Sequence, residues 1–266
     1  MSGSQRGSQD GSQRGGMYDC VIMCGGLGNR LKPLTHDTVP KPLVRVGGRE
    51  LITYAIDLLG PAFIRQVIFA VDHHADQLQA WLESAALSYE TRLSFQEQPG
   101  YLNAVECAMR ESGAETVLFC HADEIKPGLR LDRALAHHSA SGLPATVVTT
   151  YADRLYRHWV VSGDESSQRV TDIAICPDDY RRTPDQNGLV LAGALILDKA
   201  AFPRFDPELS LDYLGIVRPL IDAGELGYFV SPTEALFNIS TQEEYEDAIA
   251  YVSGEPAGGR TRLMEG

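Results

Sequence analysis

Long apolar runs are missing from this 266-residue sequence, and so is an excess of positive charge. The best apolar stretch, residues 189–197, is far shorter than the roughly 20 residues of a membrane-spanning helix. The N-terminus has no apolar stretch of the kind that a secretory signal needs, so we expect a cytoplasmic protein. A formal net charge of −13 argues against nucleic acid or an anionic membrane as a partner. These absences favour a protein that acts on small molecules.

Cysteine is scarce and carries no recognisable pattern. The five cysteines form no CxxC pair and no cysteine–histidine spacing typical of zinc. Several of them lie inside apolar segments, where a free cysteine behaves as a small core residue. We therefore expect reduced, buried thiols, as in most cytoplasmic proteins. They are Cys20, Cys24, Cys107, Cys120 and Cys176.

Both ends of the chain lack the residues that build a core. Residues 1–16 consist almost entirely of glycine, serine, glutamine and arginine, and we expect a disordered tail there. Residues 253–266 are rich in glycine and predict a flexible C-terminal tail. Between them, residues 17–252 are numerous enough for a large core and contain no obvious linker. They predict one domain.

Buried-strand and helix patterns alternate through most of that domain. This rhythm predicts a three-layer, Rossmann-like α/β fold, in which a mostly parallel twisted sheet carries helices on both faces. Ligands of such sheets bind beyond the carboxyl ends of the strands, so the loops at Gly25, Gly100 and Ala122 should converge. Predicted strands cover residues 18–24, 66–71, 93–96, 116–121, 145–151, 159–161, 170–175 and 188–197. Predicted helices cover residues 50–59, 75–85, 103–112, 131–141, 211–223 and 242–252.

A glycine-rich loop follows the first predicted strand. Gly25, Gly26 and Gly28 fall within four positions, so bare backbone N–H groups can approach a phosphate closely. The loop lacks the Gly-Lys-Ser/Thr of a Walker A motif. It also has Leu31 where a dinucleotide fingerprint needs a third glycine. The loop therefore indicates phosphate binding of another type.

Basic side chains are concentrated in and after this loop. Residues 25–49 hold five basic side chains against one acidic side chain, although the chain as a whole is acidic. A local excess of positive charge on an acidic protein favours a small polyanion. Combined with the glycines, it predicts a triphosphate site. The basic residues are Arg30, Lys32, Lys41, Arg45 and Arg49.

Residues 25–35 read GGLGNRLKPLT, and residues 40–43 read PKPL. This long, spaced motif resembles the signature of the sugar-phosphate nucleotidyltransferases, which include glucose-1-phosphate thymidylyltransferases and mannose-1-phosphate guanylyltransferases. Residues 46–52 extend the similarity, and weaker echoes run through the rest of the core. The resemblance implies an Mg²⁺-dependent enzyme that joins a nucleoside triphosphate to a sugar-1-phosphate or sugar-like cyclitol 1-phosphate and releases pyrophosphate.

The resemblance also implies roles for individual residues of the loop. The backbone of Gly25, Gly26 and Gly28 would cradle the triphosphate. Arg30 would hold its β- and γ-phosphates, and Lys41 would neutralise charge at the reacting phosphates. Such a transfer depends mainly on positioning and countercharge, which these residue types supply.

Two positions match the metal ligands of the family. Asp123 follows a buried strand where relatives carry a Gly-Asp whose carboxylate binds Mg²⁺. Asn238 stands where relatives carry a second aspartate, and its carbonyl oxygen is still a permissible ligand for a hard cation. His121 is expected to be a wall residue, because Mg²⁺ does not favour imidazole. Structural readings remain open for both ligands: a turn-capping aspartate and a structural asparagine before the last helix.

Selection of the base and of the acceptor is less clearly encoded. Gly100 and Asn103 occupy the place of the family's base-reading loop, where an amide side chain could pair with a base edge. An ordinary helix N-terminus is the alternative, and the sequence leaves the identity of the base open. Gly193 matches a glycine that passes close to the sugar. The family's acceptor-binding lysine is absent from residues 170–198, and Arg181 is a nearby cationic substitute, together with Arg182.

Two other functions remain open at this stage. A non-catalytic nucleotide-sugar-binding regulatory homologue is suggested by Asn238 and by the missing lysine. A metal-dependent glycosyltransferase would need acidic metal ligands but not the triphosphate loop, so the sequence disfavours it. The sequence does not decide the oligomeric state, and a homo-oligomer is compatible with it.

Overall fold

A computed structural model describes residues 18–26, 31, 38–72, 75–152, 155, 158–176, 188–206, 208 and 211–254. The predicted N-terminal tail and most of the predicted C-terminal tail lie outside these residues. None of the helices within the described ranges combines the length and apolar character that crossing a bilayer requires.

Thirteen strands and six α-helices occur in the described residues. In chain order the strands are β1 (Tyr18–Met23), β2 (Arg45–Val46), β3 (Arg49–Glu50), β4 (Ile64–Val71), β5 (Glu90–Phe95), β6 (Thr116–His121), β7 (Glu124–Ile125), β8 (Ala145–Ala152), β9 (Trp159–Asp164), β10 (Arg169–Ile175), β11 (Gly188–Asp198), β12 (Leu226–Val230) and β13 (Phe237–Asn238). The helices are α1 (Leu51–Ile56), α2 (Ala75–Ser84), α3 (Tyr101–Glu111), α4 (Leu131–Ser141), α5 (Leu214–Asp222) and α6 (Gln242–Val252). Short 3₁₀ helices cover Lys41–Leu43 and Lys199–Arg204.

Nine of the described strands form one sheet in the order β5-β4-β1-β6-β11-β8-β12-β10-β9. The strands β5, β4, β1 and β6 are mutually parallel, and β12 is parallel to β8. The strand β11 lies between β6 and β8 and is antiparallel to both. In the described sheet only β10 and β11 run against the others, so the mostly parallel direction predicted from the sequence is confirmed.

Helices cover both faces of the sheet, which confirms the predicted three layers. Alternate residues of β1 point to opposite faces: Cys20 and Ile22 join one core cluster and Val21 joins the other. The first cluster includes apolar residues of α1, α2 and α4, and the second includes residues of α3 and α5. The five cysteines are buried and free, as predicted.

Some elements differ from the sequence-based prediction. The strand β12 was not predicted, because its five residues (LGYFV) follow the preceding helix almost directly and carry little periodicity. The first helix ends at Ile56 rather than near residue 59, and α5 begins at Leu214 rather than near residue 211. The two-residue strands β2, β3, β7 and β13 are too short to leave a pattern.

Candidate functional site

An open cleft lies at the carboxyl ends of the parallel strands. Residues after β1, β4, β5 and β6 line it: Gly25 and Gly26, Asp72, Gln96, and Ala122 with Asp123. We call it the loop cleft; its volume is about 460 Å³, and Lys41 and Gly100 complete its wall. The predicted convergence of the loops at Gly25, Gly100 and Ala122 is therefore confirmed.

Two glycines give the loop cleft its shape. Gly26 has φ +118° and Gly100 has φ +128°, a backbone conformation that residues with a side chain rarely adopt. A Cβ atom at Gly26 would meet no atom of the described residues within 4 Å, so the backbone of Gly26 is left bare on that side. Gly100 immediately precedes α3 and turns the chain into that helix.

A cation and a carboxylate face each other across the loop cleft. Lys41 begins the 3₁₀ helix Lys41–Leu43, and its Nζ donates to Oδ2 of Asp123, just after β6. Their side chains are only 15% and 30% exposed, so water screens this pair partly. Burial, followed by the nearby Asp123 charge, raises the pKa of the Cys24 thiol, which also lines the cleft. Cys24 is therefore a protonated wall residue.

Asn238 is brought beside Asp123 by a short ladder. β13 pairs with β7, placing Asn238 opposite Glu124, and the backbone N–H of Ile239 donates to the carbonyl oxygen of Asp123 at 2.8 Å. The side-chain oxygen of Asn238 is buried and has no hydrogen-bond partner among the residues that the structure describes. A buried oxygen without a partner is costly unless it receives a donor or a cation. Oxygen donors of this kind fit a hard divalent cation.

Three side chains that could bind a metal ion lie close together near Asp123. Potential ligand atoms of His121, Asp123 and Glu124 lie within 4.8 Å of one another. Glu124 is already engaged: its Oε2 accepts from Lys126 at 2.9 Å, and its Oε1 lies 3.4 Å from Nδ1 of His121. Asp123 is paired too, with Lys41, but it lines the open loop cleft and its side chain is 30% exposed, whereas that of Glu124 is 7% exposed; Asp123 is therefore the better candidate for a metal ligand.

A second, more enclosed cavity of about 90 Å³ adjoins the loop cleft. Tyr101 and His121 line both cavities and mark the junction between them. We call the second cavity the inner chamber. Its other lining residues include Phe119, Glu124, His158, Trp159, Leu191, Gly193, Ala194, Leu195, Tyr213, Leu236 and Asn238.

Glu124 and Lys126 form an ion pair at the base of the inner chamber. Lys126 is fully buried, and its Nζ donates to Glu124 and to the carbonyl oxygen of Gly193 at 2.8 Å. Burial by itself would raise the pKa of Glu124, but the charge of Lys126 and the contacts with His121 hold it well below its usual range. Burial would likewise lower the pKa of Lys126, yet Glu124 raises it above its ordinary value. Both groups are therefore charged.

Gly193 packs directly against this pair. Pairing of β11 with β8 shifts register between Leu191 and Ala194, and Gly193 lies at this irregularity with φ +56°. A Cβ atom at Gly193 would lie 1.6 Å from Oε2 of Glu124. Position 193 therefore tolerates only glycine while Glu124 keeps its place.

We predict that Gly193→Ala destabilises the protein more than Gly142→Ala does. Both glycines have positive φ, +56° and +67°, so each substitution incurs about 1–2 kcal/mol of backbone strain. Only Gly193 has a close neighbour, and displacing Glu124 adds about 1–3 kcal/mol of overpacking, whereas a Cβ at Gly142 meets nothing within 4 Å. Urea unfolding of the two variants measures the difference. Equal losses would show that Glu124 is free to move.

Asn103, the predicted base-reading residue, stabilises its own loop. Oδ1 of Asn103 accepts from the backbone N–H groups of Glu97 and Gln98, at 2.9 and 2.8 Å, and so holds the loop before α3. Gln96, which lines the loop cleft, donates through Nε2 to the carbonyl oxygen of Gly100 at 2.9 Å. A role of Asn103 in base recognition stays a prediction. Gly28, Arg30, Arg181 and Arg182 lie outside the described residues.

Sequence reasoning missed Glu124 and Lys126. Glu124 was overlooked beside Asp123, and Lys126, in the sequence EIKP, has the pattern of an ordinary exposed lysine. The aromatic wall formed by Tyr101, Trp159 and Tyr213 was missed too. These three side chains pack edge-on or tilted with ring centroids 5.5–6.3 Å apart, although they are widely separated in the sequence.

Residues 20–205 match the family model described as the MobA-like NTP transferase domain, a span well over half of the chain. The chain belongs to the MobA-like NTP transferase family. The match confirms the resemblance to nucleotidyltransferases given by residues 25–43, and with it the assignment to an enzyme family. This chain is 28% identical to the mannose-1-phosphate guanyltransferase of Debaryomyces hansenii over 241 residues. The alignment covers 84% of this chain but only 66% of that protein, slightly less than two thirds.

Solved structures share the fold of this chain. It superposes on HddC from Yersinia pseudotuberculosis with a TM-score of 0.68 and 22% identity, over 88% of this chain and 99% of that one. It superposes on the inositol-1-phosphate CTP transferase from T. maritima with a TM-score of 0.70 and 18% identity, over 91% and 99% of the two chains. The predicted α/β fold is therefore confirmed.

Proposed function

We propose that this chain transfers a nucleotidyl group from a nucleoside triphosphate to the phosphate of a sugar-1-phosphate or cyclitol 1-phosphate. A phosphate oxygen of the acceptor attacks the α-phosphorus and forms a new P–O bond. The bond from the α-phosphorus to the bridging oxygen breaks, and pyrophosphate leaves with its electron pair. The acceptor phosphate is already ionised, so the reaction requires no protein nucleophile.

One observation supports this proposal above the others: the bare glycine backbone, Lys41 and Asp123 line one open cleft that joins an enclosed chamber. The loop cleft suits a triphosphate, since backbone N–H groups and an ammonium both attract phosphate oxygens. The inner chamber suits the ring of the acceptor, with Gly193 in its wall. An acceptor phosphate at the junction would then face the α-phosphate, as in-line transfer demands.

Asp123 and Asn238 would hold a divalent ion, for which Mg²⁺ is the natural choice because both residues offer oxygen donors and the substrates bring phosphates. When bound, the ion would offset negative charge on the triphosphate. Lys41 would stabilise charge that develops near the reacting phosphates. Gly28 and Arg30 keep the triphosphate-binding roles, and Arg181 the acceptor-binding role, that the sequence predicts for them.

The pair formed by Lys41 and Asp123 fits this division of labour. Each group neutralises the other, so neither charge is left alone in a partly buried cleft. A bound metal–triphosphate complex would offer each of them a partner of opposite charge. The loop cleft therefore offers one positive and one negative group to a substrate complex that contains both a cation and an anion.

Release of pyrophosphate tests the proposal. Purified protein is incubated with Mg²⁺, each of ATP, GTP, CTP, UTP and dTTP, and a panel of sugar and inositol 1-phosphates. GTP with mannose 1-phosphate is the first pair to try, because the Debaryomyces hansenii relative is by name a mannose-1-phosphate guanyltransferase. We expect acceptor-dependent pyrophosphate from at least one pair. Nucleotide binding without release from any pair would instead support the non-catalytic regulatory homologue.

A further inference from the structure

The inner chamber contains a charge arrangement that nucleotidyl transfer does not require. Glu124 lines the chamber, and Lys126 lies fully buried beneath it. Two hydrogen bonds fix the ammonium of Lys126, one to Oε2 of Glu124 at 2.9 Å and one to the carbonyl oxygen of Gly193 at 2.8 Å. A buried ion pair is often no more stabilising than apolar residues of similar volume. Its presence here therefore suggests a task in recognition.

The carboxylate of Glu124 can accept further hydrogen bonds from a ligand in the inner chamber. Each carboxylate oxygen can accept two hydrogen bonds, and the contacts described use one on each oxygen: Lys126 on Oε2 and His121 on Oε1. The close approach of Gly193 prevents the carboxylate from turning away on that side. A hydroxyl group of a ligand would thus meet a carboxylate that the buried ammonium of Lys126 holds in place.

The described part of the chamber wall offers an anion only two imidazoles, His121 and His158, and His121 already contacts Glu124. Among the described residues that line it, none is a lysine or an arginine. The ammonium of Lys126 is enclosed and already paired. A second anionic group on the acceptor ring would therefore lose its water and face Glu124 without a countercharge, which is unfavourable.

We propose that Glu124, fixed in place by Lys126, is the specificity-determining residue of the inner chamber and selects neutral polyhydroxylated rings over rings that carry a second anionic group. Lys126 is a positioning residue, because it acts on the acceptor only through Glu124 and Gly193. This inference rests on the proposed function, since it treats the inner chamber as the acceptor site. The phosphate at position 1 of the acceptor would lie at the junction with the loop cleft, so Glu124 would not disfavour it.

Two acceptors that differ by one phosphoryl group test the proposal in the wild-type chain. The probes are the monophosphate and the 1,6-bisphosphate of whichever hexose, mannose or glucose, supports pyrophosphate release. We expect kcat/KM to favour the monophosphate at least about a hundredfold, the scale of a like-charge contact with little water around it. A wild-type ratio near one overturns the proposal without any variant. A wild-type chain that releases no pyrophosphate with any pair refutes the proposed function itself.

Two variants separate the charge of Glu124 from its packing. E124Q keeps the shape but leaves Lys126 as an uncompensated cation, so the preference for the monophosphate should fall at least about tenfold. E124Q/K126M removes both charges and avoids an unpaired buried ammonium, so it serves if the single variant does not fold. The KM for the triphosphate should stay within about threefold in either variant, a readout that general loss of structure would move.

Lys199→Met is the matched control. Lys199 also donates to a backbone carbonyl, that of Ser112, at 2.8 Å, but it does not line the chamber. Its replacement should leave the ratio of monophosphate to bisphosphate unchanged. Folded E124Q and E124Q/K126M proteins that keep the wild-type ratio would overturn the role of Glu124 and leave the proposed function standing.

Discussion

Replacing Lys41 by alanine is expected to lower kcat for pyrophosphate release about a hundredfold, the scale of losing one preorganised electrostatic stabiliser. The Lys41 side chain lines the loop cleft and is only 15% exposed. Its ammonium therefore interacts with developing phosphate charge more strongly than it would in bulk water. Steady-state kinetics with saturating triphosphate and acceptor measure the effect. Near-native kcat would reject the role assigned to Lys41.

Arg45→Ala provides the control for the Lys41 experiment. Arg45 belongs to the same basic segment, but its side chain is 69% exposed and pairs with Glu50 rather than facing the loop cleft. Removing it changes the net charge of the protein by the same amount. We expect kcat to change less than about twofold, because exposed charges are screened by water and salt. An equal loss in both variants would mean that the general field of the segment matters, and not the position of Lys41.

Replacing Asp123 by alanine is expected to lower kcat at least about a hundredfold and to raise the Mg²⁺ concentration needed for half-maximal rate. The carboxylate follows β6, and the backbone carbonyl of Asp123 accepts from Ile239, the residue next to Asn238, whose side-chain oxygen has no hydrogen-bond partner among the described residues. Loss of the carboxylate would leave that oxygen as the weaker half of a metal site. A titration of rate against Mg²⁺ checks both effects. Unchanged Mg²⁺ dependence would exclude Asp123 as a ligand.

Asp172→Ala is the control for Asp123→Ala. It removes a surface carboxylate that pairs with Arg218 at 2.8 Å, and we expect little effect on rate.

A double variant tests the coupling between Asp123 and Lys41. The double variant K41A/D123A should lose less than the product of the two single losses, because each single variant also strands the partner charge. Fully multiplicative losses would show that the two groups act independently.

The loop cleft could be predicted from the sequence because its residues lie in loops that directly follow buried strands, and buried strands leave a clear apolar pattern. Three glycines after a short apolar run, with Lys41 soon afterwards, are local features that keep their meaning in any parallel sheet. Asp123 stands at the end of a buried strand, but its role as a metal ligand is implied by the resemblance to the nucleotidyltransferases. The convergence of these loops needed only the rule that carboxyl ends of parallel strands share one edge.

The inner chamber could not be predicted in the same way, because its residues become neighbours only through tertiary structure. Lys126 carries no sign of burial, since lysines in loops are ordinarily exposed. Its partner carbonyl belongs to Gly193, on a strand whose antiparallel insertion beside β6 no local pattern specifies. For Asn103 the sequence pattern suggests a ligand contact, and the structure adds a contact within the protein. Its side-chain oxygen accepts from two backbone N–H groups of its own loop.

The position of β11 in the sheet affects when the contact between Gly193 and Glu124 can form during folding. β11 follows β10 in the chain but enters the sheet between β6 and β8, pairing Ala194 with Cys120. Such non-local pairing requires a long loop to close before it gains stability, which makes it a slow step. Gly193 reaches Glu124 only once this strand has docked. A chain in which β11 has not yet docked would therefore lack the contact between Gly193 and Glu124, whereas β5, β4, β1 and β6 pair with one another without β11 and can already carry the glycine loop.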